Sequence, residues 1–579
     1  MQKLKIVIVA ALMAISAAKA KSQCKLVTNG GSKFNIIVLR DSYQDEAALL
    51  QKNIELASGA RLPIVKGKAS CRNCIVIGKS ADFNGTSGAP APPAGGLGIS
   101  VASDKILLVS GNSAEMAYPV TEFLYKYLGT RVFDADGVKT PKKSSINVPV
   151  TKYLYTPPFR QRDLYTLPGF DNTYMIWNHI GRIWSSPSSE WGNWVHTAYE
   201  FIYVPQYYKS NPEYFALVNG KRVTTQLCYS NKDAYNVVLA GMKKKIAQAP
   251  QKKIWSFSQL DNNDICKCDL CTAAARNMET PGGALMLFVN RLARDLPQIT
   301  VSTLAYGFSL KPPDPSKFKL ENNVNIVFCV TQGNKGRDFA TDESFVDMRK
   351  WLDGWLAQTK DIIIWDYIVN YTNLIMPYPN FNGIQSALQY YRKKGISQIY
   401  LQGNNKDGSA MADMRSYIAA RLMWNPNEDV TKLTEDYCNY AYGNASKDVQ
   451  ELLLQLKSNG QKVFLNYYNT PGKYAGNLFS EANMQSYNAI LQRALTKVPR
   501  SGPQYKQLMR LRFAFDITDA EIGVEQKKGN RKKLNDLQEY SDMGLFKTPI
   551  SENARSAGEQ IEILKKRTDQ ALCILPSQS

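Results

Sequence analysis

The sequence predicts an α/β protein built around a (β/α)8 barrel, with a small α/β domain before the barrel and a helical domain after it. Three observations predict this. Eight apolar strand candidates alternate with helical patterns between Phe159 and Pro426. Residues 25–150 show the same alternation on a smaller scale, and after residue 430 only helical runs remain. The length of 579 residues, with 44% apolar and 21% charged, is enough for several globular domains at roughly 100 to 200 residues each and excludes a disordered or fibrous chain.

Residues 1–20 read as a signal peptide: Lys3 and Lys5 start it, Ile6 to Ala18 are apolar, and Ala18-Lys19-Ala20 is a small-x-small cleavage pattern. The mature chain is expected to begin at Lys21 and to be exported, to the periplasm or beyond. No later stretch approaches the ~20 apolar residues of a transmembrane helix, so no transmembrane segment is expected. Cys24 lacks the small apolar residues that precede a lipidated cysteine, which argues against a lipid anchor.

The α/β domain, residues 25–150, is expected to place strands at Ile36 to Leu39, Ile75 to Ile77 and Ile106 to Val109. Asp45 to Ala57 reads as a helix closed by Gly59, and Ala114 to Leu128 as a helix interrupted by Pro119 and stopped by Gly129. The Gly- and Pro-rich stretch Asn84 to Gly98 reads as an exposed loop, and Asp134 to Pro158 as the linker onward. The barrel, residues 159–428, is assigned strands at Phe159 to Tyr165, Trp194 to Tyr203, Gln226 to Tyr229, Ile254 to Ser258, Ile299 to Tyr306, Val324 to Val330, Ile362 to Tyr367 and Gln398 to Gln402. Residues 430–579 show helical runs at Lys447 to Lys457, Glu481 to Leu495 and Tyr505 to Gly523, expected to pack on the barrel and wall its cleft.

The formal charge of +21 fits acidic polysaccharides, nucleic acid or an anionic surface as partners. Its Lys and Arg are scattered, however, with only short clusters at 243–245 and 531–533. No Arg stripe interleaves with aromatics, so nucleic acid is not expected as a partner.

In a (β/α)8 barrel the chemistry sits where the strands end. The residues there are Arg162, the group His196, Tyr199 and Glu200, then Gln259 and Asp261, Tyr306, the run Trp365-Asp366-Tyr367, and Gln402 with Asn404. Trp, Tyr, Asn, Gln and carboxylates suit an oligo- or polysaccharide: sugar C–H faces stack on rings, and hydroxyls pair with amides and carboxylates. Asp261 and Asp366, on strands facing each other across the mouth, are the expected catalytic pair of a glycoside hydrolase, with Glu200 in reserve. Set against that, Asp366 also fits a structural carboxylate, and Asp261 a turn former or a ligand-binding residue without a catalytic role. Such hydrolysis requires no cofactor. Only two histidines exist, which excludes a three-His zinc hydrolase; His179 reads as core and His196 as a substrate contact.

Cys71 and Cys74 fit a local disulfide. Cys266, Cys268 and Cys271 follow the fourth strand, and Cys228 ends the neighbouring third, so four sulfurs are expected to converge, as a structural zinc site or as two disulfides that clamp the loop of Asp261. Cys329 and Cys438 read as buried thiols, and Cys24 with Cys573 as a staple or two free thiols.

These residues resemble an exported bacterial family, domain of unknown function 4838. The similarity runs from His196 through Asn211-Pro212-Glu213-Tyr214-Phe215, Gly220-Lys221-Arg222 and Gln226-Leu227-Cys228-Tyr229-Ser230-Asn231. It continues in Ser258-Gln259-Leu260-Asp261 with the three-cysteine loop, in Trp365-Asp366-Tyr367 with Pro377-Tyr378-Pro379-Asn380, and in Gln402-Gly403-Asn404 followed by Arg415-Ser416-Tyr417 and Leu422-Met423-Trp424. The resemblance implies a glycoside-hydrolase-like barrel, often encoded among glycan-degradation genes, and an N-terminal domain similar to those of α-glucuronidases and β-hexosaminidases. It does not fix a reaction. The chain departs from the family at Leu260, where Asn is usual, and at Leu401, where Glu is usual. Loss of polar groups at the mouth would mean a shifted substrate or a degenerate site that binds a glycan without cleaving it.

Overall fold

A computed structural model describes residues 22–183, 189–405, 411–545 and 555–573. The expected signal peptide lies outside them, as does the side chain of Cys573. The chain forms two compact units that divide between Pro157 and Pro158.

The first unit runs β1 (Gln23–Val27), β2 (Asn35–Val38), α1 (Gln44–Ser58), β3 (Ile64–Lys66), β4 (Cys74–Lys79), β5 (Leu97–Val101), β6 (Lys105–Ser110), α2 (Ala117–Phe123), β7 (Ile146–Pro149) and β8 (Thr151–Tyr155). Six strands form one sheet in the order β3-β2-β4-β6-β5-β8, parallel through β6 and antiparallel beyond. β4 and β6 are apolar along their length because both faces are buried. α1 ends at Gly59, whose left-handed φ of 80° lets its N–H bond the Glu55 carbonyl. Pro119 does not interrupt α2. It lies in the first turn, where its missing N–H would have had no helical partner, and a π-helical turn continues to Leu128. Cys71 and Cys74 form a disulfide. The loop after residue 84 is shorter than expected, because β5 begins at Leu97 and buries Gly98 beneath Pro90.

The second unit is α/β with a parallel half-barrel. Its strands are β9 (Gln161–Tyr165), β10 (Phe215–Val218), β11 (Lys221–Leu227), β12 (Ile254–Ser256), β13 (Thr300–Ala305), β14 (Val324–Val330), β15 (Ile362–Tyr367) and β16 (Gln398–Gln402). Six of them form one parallel sheet in the order β12-β13-β14-β15-β16-β9. The other two expected barrel strands are corrections. Gln226 belongs to β11, which pairs antiparallel with β10 in a separate hairpin. Trp194 to Tyr203 is irregular apart from a short 3₁₀ turn at Ala198–Glu200. Neighbouring residues instead cap the two edges of the half-barrel: Gly181 N–H bonds the Arg162 carbonyl on β9, and Gly192 N–H bonds the Ile254 carbonyl on β12, each at 2.8 Å. Of the apolar residues that imitate a strand, Trp194 packs inward, beside Trp191 and against Trp365 and Tyr400 on the inner face.

Helices α3 (Lys232–Gln248), α4 (Asp269–Asn277), α5 (Gly283–Asp295), α6 (Val346–Gln358) and α7 (Phe381–Lys393) connect the strands, and α8 (Ala412–Trp424) follows the last of them. The chain continues through α9 (Val430–Tyr442), α10 (Ser446–Gly460), α11 (Glu481–Leu495), α12 (Pro503–Glu525) and α13 (Ala557–Cys573). A cluster from Met509, Phe513, Ile517, Leu534 and Ile561 holds the last helices together and takes in Ile375 from the segment after β15. The segment between α10 and α11 is tied to that same region, with Tyr371 N–H bonding the Tyr467 carbonyl at 2.7 Å and Thr372 Oγ1 donating to the Tyr468 carbonyl at 2.6 Å. Among the described residues, no helix is long and apolar enough to cross a membrane.

Candidate functional site

Strand alternation decides what reaches the mouth. On β13 to β16 the inner face carries Leu304, Val327, Cys329, Ile363, Trp365 and Tyr400, with Tyr306, Tyr367 and Gln402 toward the C-terminal ends. There a cavity of about 250 Å³ is lined by His196, Asp261, Leu304, Tyr306, Cys329, Trp365, Tyr367, Tyr371, Gln402 and Tyr468. Tyr306 Oη donates to Asp261 Oδ1 at 2.8 Å, and Trp365 Nε1 donates to Gln402 Oε1 at 2.7 Å. Burial, and then the bond to Asp261, raises the Tyr306 phenol, so it stays a hydrogen donor. Cys329 is buried at the cavity floor; burial raises its thiol and makes it a poor nucleophile.

His196 holds a left-handed backbone, φ 57°, an uncommon conformation for a residue other than glycine. Two bonds fix it: its N–H donates to Ser258 Oγ and its Nδ1–H to the Gln259 carbonyl, both at 2.8 Å. In the neutral ring Nε2 is then the acceptor. The cavity therefore combines ring faces with an acceptor carboxylate, an imidazole nitrogen and an amide.

Of the expected contacts, His196, Asp261, Tyr306, Trp365, Tyr367 and Gln402 meet in this cavity. Asp366 does not. Lying between two inward aromatics, it points to the helical side, where Lys335 Nζ and Tyr391 Oη each donate to it at 2.7 Å and it is 6% exposed. The opposed carboxylate pair is thus not formed. Glu200 is exposed on the surface, ion-paired with Lys245 at 2.7 Å. Among the described lining residues Asp261 is the one carboxylate, and no Lys or Arg accompanies it.

Arg162 is likewise on the helical side, donating to the His179 and Phe159 carbonyls and lying over the Trp424 ring. Tyr199 bonds the Thr224 carbonyl of the hairpin instead of facing the mouth. Gln259 is fully buried, its amide donating to the Tyr306 carbonyl and Ser309 Oγ, so it positions Tyr306 and His196 and does not reach ligand. Asn404 is buried outside the lining. Leu401 pairs with Asp366 in the sheet register and shares its side, away from the mouth.

Sequence reasoning missed Tyr371 and Tyr468. Tyr468 comes from the segment after α10, more than sixty residues beyond the last strand, and the only signal for it was the sugar-compatible run Asn466-Tyr467-Tyr468-Asn469. Tyr467 stacks on Tyr367, ring centres 5.0 Å apart, and Tyr468 packs beside it at 4.4 Å.

Cys228, Cys266, Cys268 and Cys271 converge, every sulfur within 4.8 Å of the others. Cys228 lies 3.6 Å from Cys268 and 3.8 Å from Cys271, too far for a disulfide bond. The residues fit a metal. At a zinc–sulfur distance of about 2.3 Å, tetrahedral ligands stand about 3.8 Å apart. Leu217 N–H donates to Cys266 Sγ at 3.3 Å, a backbone hydrogen bond of the kind that supports a thiolate ligand.

The chain belongs to the family described as a domain of unknown function (DUF4838), which matches residues 132–453. No curated protein matches it. Two solved structures are similar over nearly the whole length. CpGH84B is 14% identical, covering 95% of this chain and 94% of its own, with a TM-score of 0.42. A GH138 enzyme targeting pectin rhamnogalacturonan II is 8% identical, covering 93% of this chain and 99% of its own, with the same TM-score of 0.42.

Proposed function

We propose that this protein binds a neutral carbohydrate in the cavity at the C-terminal ends of β13 to β16 and does not cleave it by a carboxylate pair. The observation that carries this reading is a cavity walled by Trp365, Tyr306, Tyr367, Tyr371 and Tyr468 around a single described carboxylate, Asp261. A sugar C–H face stacks on the rings, and its hydroxyls donate to Asp261 and His196 Nε2 and accept from the Gln402 amide. Paired-carboxylate hydrolysis needs a second acid about 5 Å away, or roughly 6.5 to 9.5 Å when water attacks. The described lining supplies none. A uronic acid would meet Asp261 with no lysine or arginine to offset it, so a neutral glycan replaces the acidic one. Export is part of this proposal, resting on residues 1–20. Zinc in the four-cysteine cluster is part of it too, as a structural ion and not a participant at the cavity.

Titration calorimetry against a panel of neutral oligosaccharides, run beside a reducing-sugar assay, tests the proposal. Wild type should bind at least one without releasing reducing ends. Asp261→Asn should weaken binding roughly 10- to 100-fold, the loss of a charge-assisted hydrogen bond. Absence of binding across the panel would defeat the reading. Cleavage abolished in Asp261→Asn would replace it with single-acid hydrolysis assisted by the substrate.

A further inference from the structure

The four sulfurs come from two chain segments, and those same segments are bonded to each other directly beneath Asp261. Cys228 follows β11 by one residue; Cys266 and Cys268 lie in the loop that carries Asp261, and Cys271 lies in the first turn of α4. Between the sulfurs and Asp261, Gln226 bridges the segments. Its Nε2 donates to the Leu260 carbonyl at 2.9 Å and to Asn262 Oδ1 at 3.0 Å, and its Oε1 accepts from Leu260 N–H at 3.2 Å. Asn262 Nδ2 returns a bond to the Thr225 carbonyl at 2.9 Å. Leu260 and Asn262 flank Asp261 on both sides. The backbone of Asp261 is therefore pinned by the hairpin while its carboxylate accepts from Tyr306.

We infer that a zinc ion bound by Cys228, Cys266, Cys268 and Cys271 holds the hairpin against the Asp261 loop, so that metal occupancy sets the position of Asp261 in the cavity. This rests on the carbohydrate reading only for its effect on ligand; the metal and the loop are testable without any sugar. The sulfur separations match a tetrahedral tetrathiolate, and binding converts four thiols to thiolates with release of their protons to solvent. The Leu217 amide and the Ser230 hydroxyl, 3.3 and 3.2 Å from Cys266 and Cys271, supply hydrogen bonds to the resulting negative charge. Without the ion, the Gln226 and Asn262 bonds, one backbone bond from Lys267 N–H to the Leu217 carbonyl at 2.8 Å and the Tyr306 bond to Asp261 are left to hold a loop that is exposed at Asp261 and Asn263. A few such bonds, each worth about 1 kcal/mol, open readily.

The test measures metal and loop directly on the full-length protein. Elemental analysis after purification without chelator should give close to one zinc per chain, and four further thiols should react with a disulfide reagent once zinc is stripped. Hydrogen exchange read on peptides spanning 214–230 and 258–272 should then speed up about tenfold or more, while β14 and β15 keep their protection. Gln226→Ala should loosen the loop with zinc retained. Should stripping unfold the unit, Cys268→Ser, at the least buried ligand, provides the second measurement, with reduced zinc retention and the same local exchange expected. A metal-free protein with four reactive thiols, or disulfides found among these cysteines by mass mapping, would overturn the site. Unchanged loop exchange after zinc loss would overturn its hold on Asp261. If both results are positive and no glycan binds, the carbohydrate reading fails and the metal clamp stands.

Discussion

One peptide bond separates Trp365, whose ring lines the cavity, from Asp366, whose carboxylate is buried against Lys335 and Tyr391, and the alternation of a strand is the whole cause. Asp366 takes part in a buried ion pair, and removing either partner leaves an uncompensated charge. Lys335→Met should therefore cost about 3 to 5 kcal/mol in denaturant unfolding. Asp366→Asn should also destabilise, yet leave glycan affinity within about twofold, because a residue facing the helices touches no ligand. An affinity loss comparable to that of Asp261→Asn, at equal stability, would contradict the placement. The side taken by Asp366 was legible in the sequence: in a strand buried on both faces, a carboxylate between two aromatics takes the opposite side from them.

At the scale of elements, β13 to β16 were legible because a parallel strand covered on both faces must be a short, continuous apolar run, as Val324–Val330 is. The segment from Trp194 was illegible for the same reason inverted. Its tryptophan and valine are apolar because they plug the inner face, and inward packing without a ladder leaves a strand-like composition in irregular chain. The four-cysteine cluster was legible from its spacing, whereas its separation from disulfide chemistry needed sulfur positions. The wall contributed after α10 had no local signature linking it to the mouth, since the link is a set of bonds from Tyr371, Thr372 and Asn370 to a segment nearly one hundred residues away. That wall makes a prediction. Tyr468 is 57% exposed, so Tyr468→Ala should change stability little. If its ring stacks on sugar, affinity should fall roughly 10-fold, measured by calorimetry, and the loss should be larger for oligosaccharides than for monosaccharides.

Across the unit that begins at Pro158, four buried groups bear on how stability responds to pH, and their signs differ. Burial raises Asp163 from 3.8 to about 6, against the opposing bond from Ile183 N–H. Burial also raises Glu521 from 4.5 to about 7, although Gln560 and Asn373 donate to it. A carboxyl raised on folding contributes stability that is full below its unfolded value and is lost as pH climbs through its folded value. Both groups therefore favour the fold on acidification, Glu521 from about pH 7 and Asp163 from about pH 6. His179 works the other way: burial, and then Arg421 and Arg162, lower it well below 6.5, so its contribution is lost as pH falls below that value. Asp448 adds an acid limit. Burial opposes its ionisation, yet Arg493 and Lys497 hold it below 3.8, and that stability disappears under more acidic conditions. Two carboxyls gain and one histidine loses at most about 1.4 kcal/mol per pH unit each, so the carboxyls prevail between pH 7 and 5. The melting temperature should thus peak between about pH 4 and 5.5 and decline toward neutrality. Combining Asp163→Asn with Glu521→Gln removes the acid-favouring groups and leaves His179, so the double variant should peak above about pH 6.5. A wild-type optimum at or above pH 7, unmoved in the double variant, would show that these two carboxyls ionise freely in the fold.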